Sequence, residues 1–468
     1  MGKLKKIFRS KLVQSGGWYT VTEFFIKGMA FLTIPIFTRI LSPSDYGLQS
    51  LYTTWANIIS IVCCLNLHSS IIKARFDFED DFDGYVSNIS FLSMIMFTIF
   101  LVIMTIFRSF FAPLFGFDGL LYYLLLFYSF SIFITNVMLT KLRVTYKYKG
   151  VSILNVAIKL LGLATAIALI LTYFRDRGYL GKILGDSSFT ILFGFFFLLY
   201  LINSGKCLIN IEYWKYAIIY SLPLVFHSLA NIINNQFDRI IIENYHGTYQ
   251  TGLYSFAYSF GTAIFVIIHA LDLAWSPWAF EQLKEKNYDK IRKFSFLYRD
   301  IINISLALIM ILAPEFVKIM SSDRYWVALN VIPWVLLGYY FNFMYTLEVK
   351  VEFFHKKTII VSIGTIMSAC LNLILNYIFV PNCGYIAAAI TTTFSYLALF
   401  FFHYIMVVFV MKKKLYKFSF HLQSLIYGSI VTIVYFLTSE NILFRMSVLV
   451  LILIYNFSSV YKNYKKLK

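Results

Sequence analysis

Two long apolar runs meet at NNQFDRIIIENYHGTYQTGLYS, residues Asn234–Ser255. This stretch contains three consecutive amides, the charged neighbours Asp238 and Arg239, and Gly247, a residue type that favours turns. The run before it is long enough to cross a bilayer, and so is the run after it. We therefore predict that the stretch joins two transmembrane helices and that its polar residues lie near the end of the first.

The composition of the whole chain extends this interpretation. Of its 468 residues, 59% are hydrophobic and only 14% are charged, and the mean hydropathy is +0.72. A soluble protein of this length carries about a quarter charged residues. The sequence therefore indicates an all-α polytopic membrane protein. The net charge of +18 then favours topology signals and contacts with anionic lipid over nucleic-acid binding.

The cysteines and the N-terminus exclude some other classes. The five cysteines are odd in number and lie mostly in apolar segments, so we identify no disulfide framework, no metal spacing and no cofactor. The basic N-terminus, MGKLKKIFRSKLVQ, precedes an apolar segment that is longer than a signal-peptide core and lacks a small-residue cleavage site. We expect it to be a cytoplasmic start and not a cleaved peptide.

We predict about 14 transmembrane helices, each from a run of roughly 20 apolar residues. Their approximate ranges are 17–38, 48–70, 86–107, 120–140, 151–173, 183–202, 216–242, 252–275, 296–314, 326–347, 358–380, 384–411, 419–437 and 442–460. The connections are short, and Lys and Arg are roughly three times as abundant in the predicted inside loops as in the outside loops. This bias predicts that both termini are cytoplasmic. Twelve crossings in place of 14 would also leave both termini on the cytoplasmic side.

A weak internal repeat suggests two similar halves. FTRILSPSDYGLQSLYTTW begins at Phe37 and FDRIIIENYHGTYQTGLYSFAYSF begins at Phe237; both contain Phe-x-Arg and a later Gly-Leu. Internal repeats are common in transporters, with the substrate path between the halves. The predicted domains are a six-helix N-terminal lobe, a six-helix C-terminal lobe and an appended helix pair with a basic tail: residues 1–210, 211–411 and 412–468.

Four stretches, taken in order along the chain, resemble bacterial polysaccharide-biosynthesis flippases of the multidrug/oligosaccharidyl-lipid/polysaccharide exporter superfamily. No single motif is as specific as a metal-ligand pattern, but their order and spacing span most of the chain. The stretches are TRILSPSDYGLQSLY (Thr38–Tyr52), the two parts SLPLVFHSLANIINNQFDRIIIENY and GLYSFAYSFG of Ser221–Gly261, LDLAWSPWAFEQ (Leu271–Gln282) and LNLILNYIFVPNCGYIAAAITTTFSY (Leu371–Tyr396).

The resemblance implies two six-helix lobes around a central cavity, and transport by alternating access. It also implies a substrate: a polyprenyl-pyrophosphate-linked oligosaccharide repeat unit, moved from the cytoplasmic to the outer leaflet of the bacterial plasma membrane for surface polysaccharide synthesis. The last two helices would help to accommodate the lipid tail. The expected partners are this lipid-linked glycan and membrane lipids, with a polysaccharide polymerase and glycosyltransferases as further candidates and no nucleic acid.

The seventh predicted helix carries a polar stripe. Its members share one face at 100° per residue, and Arg239 flanks them. They are His227, Asn231, Asn234, Asn235 and Asp238. Amides and carboxylates are costly against lipid, so the stripe must face water or protein. We interpret the stripe as substrate-binding groups that line a transport cavity. The alternative is a helix interface held by amide hydrogen bonds. For Asp238 and Arg239 alone, the alternative is a structural ion pair.

Cations are needed wherever a pyrophosphate crosses a membrane, because fixed charges replace part of its hydration and counterion shell. The candidates are Lys27, Arg39, Lys159 and Arg239. Lys27 follows Glu23 by four residues, the favourable order for a helical ion pair, and would lie about 15 Å into the bilayer. The alternatives are a mutually neutralised Glu23–Lys27 pair and, for Lys159, a side chain that snorkels to the surface.

Acidic residues could couple transport to a proton or sodium gradient, since one charge crossing 100 mV is worth about 2.3 kcal/mol. The candidates are Glu23, Asp238 and Asp272. Asp272 lies near the predicted cytoplasmic end of the eighth helix, where a structural role is the stronger alternative.

Other polar residues within the apolar segments are interpreted as structural. Asn372 and Asn376 lie one turn apart on the eleventh predicted helix and favour hydrogen bonding between helices. His269 and His403 stand alone in their segments, so we expect them to be packed and not catalytic.

Three other functions compete with glycan flipping. The first is drug or lipid export by a cation-coupled member of the same superfamily. The second is a membrane-integral polysaccharide polymerase or ligase, but the predicted outer loops are only about ten residues long and carry no paired carboxylates, nucleotide motif or metal motif. The third, a scaffold, does not explain the polar stripe. We therefore expect a transporter and not an enzyme, for the repeat unit of an O-antigen, a capsule or another surface glycan.

Overall fold

The computed structural model describes residues 31–205, 208–438 and 441–465, together with residues 22, 25, 26, 28 and 29. Within these residues, regular structure is helical throughout. The α-helices, in chain order, are α1 (Ile34–Ile40), α2 (Pro43–Val62), α3 (Ile71–Asp77), α4 (Phe82–Ile106), α5 (Arg108–Phe115), α6 (Leu120–Val144), α7 (Tyr148–Thr172), α8 (Gly178–Ile202), α9 (Ile211–Ile232), α10 (Asp238–Lys284), α11 (Tyr288–Ile311), α12 (Ala313–Met320), α13 (Ile332–Phe354), α14 (Thr358–Ile405), α15 (Phe418–Thr438) and α16 (Ile442–Lys465). Two π-turns, Ile233–Phe237 and Met406–Val410, follow α9 and α14.

Many of these helices are long and apolar enough to cross a membrane. Among the described residues, nine continuous helical runs meet this criterion. Two bent pairs raise the number to eleven if each pair counts as one span: α2 with α3, and α13 with the 3₁₀ turn before it. The prediction of an all-α polytopic membrane protein is therefore confirmed. The number of 14 crossings stays a prediction, because the first predicted segment lies partly outside the described residues.

Two of the nine runs are each longer than one crossing needs. The run Ile211–Lys284 has 74 residues, or about 110 Å of helix, against a hydrocarbon core of about 30 Å. It bends at Gly247, and α14 bends at Gly384; both glycines have positive φ, at 77° and 70°, which other residue types rarely adopt. Each long run is therefore a pair of helices joined by a glycine turn, and in both runs the predicted segments are divided near that turn.

The chain forms two compact units. Unit 1 comprises the described residues of Met1–Ile26 and Leu48–Phe237, and unit 2 comprises those of Lys27–Gly47 and Asp238–Lys468. A short segment from the first half of the sequence thus belongs to the same unit as the second half. The predicted division into 1–210, 211–411 and 412–468 stays a prediction.

Within unit 2, the segment around α1 is held by backbone carbonyls of α12 and by a tyrosine. Thr38 Oγ1 donates a hydrogen bond to the carbonyl of Met320 at 2.9 Å. Tyr325 Oη in turn donates to the carbonyl of Leu41 at 3.2 Å. The first contact is partly buried and the second is buried, and they fix the first repeat motif against residues that follow it by more than 280 positions.

The two repeat motifs also contact each other inside unit 2. A Cβ atom placed on Gly47 would lie 2.1 Å from the carbonyl oxygen of Thr248, and one placed on Gly252 would lie 1.7 Å from the carbonyl oxygen of Pro43. Both distances are shorter than any real contact, so only glycine fits at either position. The two glycines that the repeat places at equivalent positions therefore allow two backbones to approach closely.

Helices α15 and α16 are bonded to the rest of unit 2 through buried polar groups. The Asp300 carboxylate on α11 accepts hydrogen bonds from Ser459 Oγ and Asn463 Nδ2 of α16, both at 2.8 Å. Tyr427 of α15 donates to the backbone carbonyl of Asn303 at 2.9 Å. These bonds order both helices against α11, so the last helix pair is an integral part of the unit.

Candidate functional site

A buried carboxylate forms the centre of a polar cluster in unit 2. Asp238 is the first residue of α10, and its side chain is 0% exposed. Its oxygens accept hydrogen bonds from Tyr254 Oη, from Asn376 Nδ2 at 2.6 Å and from Thr392 Oγ1 at 2.9 Å. Three helical segments, before and after Gly247 and along α14, therefore converge on one carboxylate.

The partners of Asp238 are bonded to one another as well. Asn372 Nδ2 donates to Thr392 Oγ1 at 2.9 Å, and Asn372 Oδ1 accepts from Asn376 Nδ2 at 3.1 Å. Thr391 Oγ1 donates to Asn376 Oδ1 at 2.5 Å. We call the set Asp238, Tyr254, Asn372, Asn376, Thr391 and Thr392 the Asp238 cluster. Because α14 folds back at Gly384, residues that are 15 or 20 positions apart face each other across its two arms.

The Asp238 cluster combines one carboxylate with amide and hydroxyl groups, and both carboxylate oxygens accept hydrogen bonds from these groups. Among the described residues, no group of three or more His, Cys, Asp or Glu side chains could hold a metal ion. The cluster therefore encloses one carboxylate among neutral hydrogen-bond donors.

Arg239 follows Asp238 directly but has different neighbours. Its guanidinium lies 5.2 Å from the ring centre of Tyr258 and 5.9 Å from that of Tyr254. These distances are within the range of a cation–π contact. The half-buried cation is thus held against aromatic rings of α10, beside the Asp238 cluster.

Arg39, the counterpart of Arg239 in the first repeat, is exposed near the end of α1. Its Nη2 donates a hydrogen bond to the carbonyl of Ile319 at 3.1 Å. That carbonyl belongs to the last turn of α12, where a cation is favourable because the helix dipole is negative there.

Three polar residues of α9 and of the π-turn Ile233–Phe237 that follows it form a ladder in unit 1. Asn231 is exposed, and His227 and Asn235 are half-buried. Asn231 Nδ2 lies 3.2 Å from His227 Nε2 and donates to the His227 carbonyl at 3.1 Å. Asn235 Nδ2 donates to the Asn231 carbonyl at 2.7 Å. We call His227, Asn231 and Asn235 the α9 ladder. Asn234 differs from these residues because its side chain is buried, at 4% exposure.

The single polar stripe predicted over positions 227–238 assumes an unbroken α-helix. The π-turn Ile233–Phe237 interrupts that spacing, because an i→i+5 turn contains one residue more than an α-turn. The 100° step used for the prediction therefore does not apply through this turn.

Other polar contacts fix α9 inside unit 1. Asn66 Nδ2 donates to Ser228 Oγ at 3.1 Å, and Asn57 Nδ2 donates to Gln236 Oε1 at 3.0 Å. Asn66 lies at the break between α2 and α3, where its φ is +54°. The ladder is thus carried on a helix whose other polar groups bond to α2 and to this break.

The remaining predicted residues have separate surroundings. Lys159 is exposed on α7. Asp272 on α10 accepts a hydrogen bond from Lys350 Nζ on α13 at 2.7 Å and one from Ser276 Oγ at 3.1 Å. Glu23 and Lys27 lie outside the described residues.

Sequence reasoning missed several members of the Asp238 cluster. Tyr254, Thr391 and Thr392 carry no signal in the sequence that sets them apart from other hydroxyl residues. Asn372 and Asn376 were correctly expected to bond between helical segments, but their connection to Asp238 spans 138 positions and depends on the fold of α14.

Taken with the apolar helices, these features define a multi-pass membrane protein with buried polar centres, as expected of a transporter. The chain matches the family model described as polysaccharide biosynthesis protein over residues 12–283, more than half of its length. It belongs to this family, and the resemblance identified from the four sequence stretches is confirmed.

One named relative is similar to the chain at low identity. The chain is 24% identical over 407 residues to the Lsg locus putative protein 1 of Haemophilus influenzae. The match covers 83% of this chain and 92% of that protein.

Solved structures show the same fold. The lipid II flippase MurJ, in an inward closed conformation, has a TM-score of 0.71 at 16% identity, covering 95% of this chain and 99% of that one. An inward-facing multidrug resistance MATE family transporter of the MOP superfamily has a TM-score of 0.59 at 18% identity, covering 83% and 96%. At these identities the similarity shows the fold alone.

Proposed function

We propose that this protein moves a polyprenyl-pyrophosphate-linked oligosaccharide repeat unit from the cytoplasmic to the outer leaflet of the bacterial plasma membrane. The movement occurs by alternating access, and the product serves surface polysaccharide synthesis. The protein acts as a transporter and not as an enzyme. Both termini are cytoplasmic, and a polysaccharide polymerase and glycosyltransferases act on the same glycan.

The observation that carries this proposal is membership of the polysaccharide biosynthesis family over more than half of the chain. The fold shared with a lipid II flippase supports it, because that protein by its name handles a lipid-linked substrate. A polar glycan attached to a lipid crosses a bilayer only if protein groups replace its water.

The substrate contacts are proposed for groups that the solvent can reach. Amide groups of the α9 ladder offer donors and acceptors to sugar hydroxyls, since Asn231 is exposed. The exposed Arg39 and Lys159 and the half-buried Arg239 offer cations to the pyrophosphate. Asn234 is buried, so we assign it the role of supporting the ladder from the π-turn after α9.

Ion coupling is proposed for the Asp238 cluster. Its carboxylate, amide and hydroxyl oxygens would hold Na⁺, which would supply a gradient-driven change in charge at this position. Asp272 is bonded to Lys350, and we assign that pair to helix packing. Lys27 and Glu23 keep their proposed roles as a substrate cation and a coupling acid.

Reconstitution tests the proposed function. Purified protein in vesicles is given a fluorescent lipid-linked oligosaccharide with a short polyprenyl tail, and a membrane-impermeant quencher reports the fraction in the outer leaflet. We expect equilibration to be much faster than in protein-free vesicles. Equal rates with and without protein, at a protein density where every vesicle holds several copies, would contradict the proposal.

A second arm separates glycan flipping from drug export. The same vesicles are loaded with a lipophilic cationic dye in place of the glycan lipid. We expect no dye movement above the protein-free rate. Dye export together with an unmoved glycan lipid would favour the exporter of the same superfamily.

A further inference from the structure

Two glutamates of α13 are buried against histidines of two other helices in unit 2. Glu352 Oε2 lies 2.8 Å from His403 Nδ1 of α14, and Glu348 Oε1 lies 2.7 Å from His421 Nε2 of α15. All four side chains are at most 1% exposed. Because the glutamates are four positions apart, they project from one face of α13, and each reaches a different neighbour.

The two pairs form one electrostatic group. Glu348 interacts electrostatically with Glu352 and with His403, in addition to its own partner His421. A buried charge without a partner is expensive, so the group is favourable only when its charges cancel. Two carboxylates and two imidazoles are neutral together only when they hold two protons.

Two other ion pairs of the same unit have a buried basic side chain, and in both pairs it is arginine. Asp300 is bonded to Arg299 at 3.2 Å, and Glu315 is bonded to Arg445. A guanidinium cannot release its proton in a protein, so such pairs carry a permanent charge. Histidine is the side chain that exchanges a proton near neutral pH. The two fully enclosed glutamates of α13 are thus paired with the one basic residue type that can bind and release a proton.

The two pairs are not closed hydrogen-bond networks. Glu352 Oε1, His403 Nε2 and His421 Nδ1 are buried, and none has a hydrogen-bond partner among the described residues. Buried polar atoms that serve only structure are normally satisfied. The Asp300–Arg299 pair differs only at its carboxylate: each Asp300 oxygen has a partner in Arg299, Ser459 or Asn463, whereas Arg299 Nε is also buried without a hydrogen-bond partner among the described residues.

The surrounding titratable groups leave the proton count unchanged. The ring of Tyr345 on α13 is 4.8 Å from that of His403, and the rings of Tyr404 and Tyr416 are 5.4 and 5.8 Å from that of His421. Tyrosine hydroxyls are neutral at physiological pH. On the side of α10, Asp272 and Lys350 neutralise each other.

We propose that Glu348–His421 and Glu352–His403 form a two-proton binding site, through which a proton gradient drives transport. The pairs join α13 to α14 and α15, so they can exchange protons with water only when these helices move relative to one another. The π-turn Met406–Val410 begins three residues after His403 and gives this end of α14 a place to rearrange.

The inference deepens the proposed function, because it names protons as a driving ion and assigns them to residues outside the Asp238 cluster. The two sites make separable predictions. Sodium dependence belongs to Asp238, and dependence on a pH difference belongs to the glutamates of α13.

The test imposes a pH difference of one unit across vesicles that contain the protein and the fluorescent glycan lipid. Each coupled proton contributes at most about a tenfold ratio between the leaflets, so two protons allow about a 100-fold ratio. We expect Glu352→Gln and Glu348→Gln each to lower the limiting ratio to about tenfold, and the double variant to abolish the response. The limiting ratio is read at equilibrium, so a slower approach to it in these variants does not change the expectation.

Asp300→Asn is the matched control, since it also alters a buried carboxylate of unit 2. The partner of this carboxylate is Arg299, which does not release its proton. We expect it to retain the full response to the pH difference. The inference is overturned if wild-type protein ignores the pH difference, if the glutamine variants respond like wild type, or if Asp300→Asn loses the response equally. The paired replacement of Glu352 and His403 by glutamine keeps an amide hydrogen bond possible and serves if a single variant does not fold.

A measurement without substrate separates this inference from the proposed function. Infrared difference spectra of the wild-type protein in lipid, recorded after a pH step, should contain carboxyl and imidazole bands that the double glutamine variant lacks. Such bands support the proton site even if no glycan lipid moves, and their absence from the wild-type spectrum contradicts it. Failure of glycan flipping without a gradient contradicts only the proposed function.

Discussion

The Asp238 cluster and the α9 ladder both contain amides near one acidic or basic residue. They differ in how far apart their members lie in the sequence and in how much solvent reaches them. The cluster joins segments far apart in sequence, and its carboxylate is fully enclosed. The ladder is formed by neighbours four positions apart along α9 and the π-turn after it, and its central amide is exposed. The cluster therefore contributes to the stability of unit 2, whereas the ladder keeps its polar groups available to a ligand.

The largest expected effect in this comparison is on stability. We expect Asp238→Ala to lower the free energy of unfolding by about 3 kcal/mol or more, because buried donors that lose their acceptor cost about 1–3 kcal/mol each. Thermal unfolding in lipid nanodiscs measures the change. Asn231→Ala, on the exposed ladder, is the matched control. Similar unfolding temperatures for the two variants would remove the distinction between the regions.

The second effect sharpens the role of the cluster. If the Asp238 cluster binds Na⁺, saturation to 100 times the dissociation constant should stabilise the wild-type protein by about 2.7 kcal/mol. Asp238→Asn keeps the shape but removes the charge, so its unfolding temperature should be the same in sodium and in choline salts. Equal stabilisation of wild type and variant by sodium would show that the cation binds elsewhere.

A smaller effect is expected at Arg239, beside the cluster. We expect Arg239→Gln to lose about 0.5–2 kcal/mol of stability, because the contact with the rings of Tyr254 and Tyr258 is removed. Arg239→Lys keeps the positive charge, so it should lose less stability than Arg239→Gln. The rate of glycan flipping should fall more in Arg239→Gln than the decrease in its folded fraction alone would cause. A flipping rate that tracks only the folded fraction would leave Arg239 as a packing residue.

The smallest stability effect belongs to the ladder itself. We expect Asn231→Ala to change the free energy of unfolding by less than about 0.5 kcal/mol, as surface substitutions usually do. Its flipping rate should nevertheless fall several-fold, since an exposed donor and acceptor for sugar hydroxyls are lost. Unchanged flipping by this variant and by Asn235→Ala would remove the ladder from the proposed substrate site.

The fold was largely predictable because hydropathy reports directly on membrane crossing. Helices α4, α6 and α7 lie within a few residues of the predicted segments 86–107, 120–140 and 151–173. The repeat was also visible in the sequence, through Gly47 and Gly252. Their mutual contact was not, because similarity between two motifs carries no information about the distance between them.

The sites were less predictable, and the reasons are physical. The 100° rule fails at the π-turn Ile233–Phe237, which no residue pattern announced. The interpretation of His403 as an isolated packed residue was wrong in one respect, since it is bonded to Glu352, 51 positions earlier. Pairs of this kind depend on which helices become neighbours, and a single sequence does not encode that in any local spacing.

The assignment of the α1 segment to unit 2 has a consequence for how the chain is made. Arg39 bonds to the carbonyl of Ile319, which is 280 positions later. At a synthesis rate of 5–20 residues per second, the interval between the two residues is about 15–55 s. During that time α1 has been made but its partner in α12 has not, so unit 2 cannot close until most of the protein has left the ribosome. Truncated chains that end before α12 should therefore leave the first repeat motif open to proteases and to other membrane proteins.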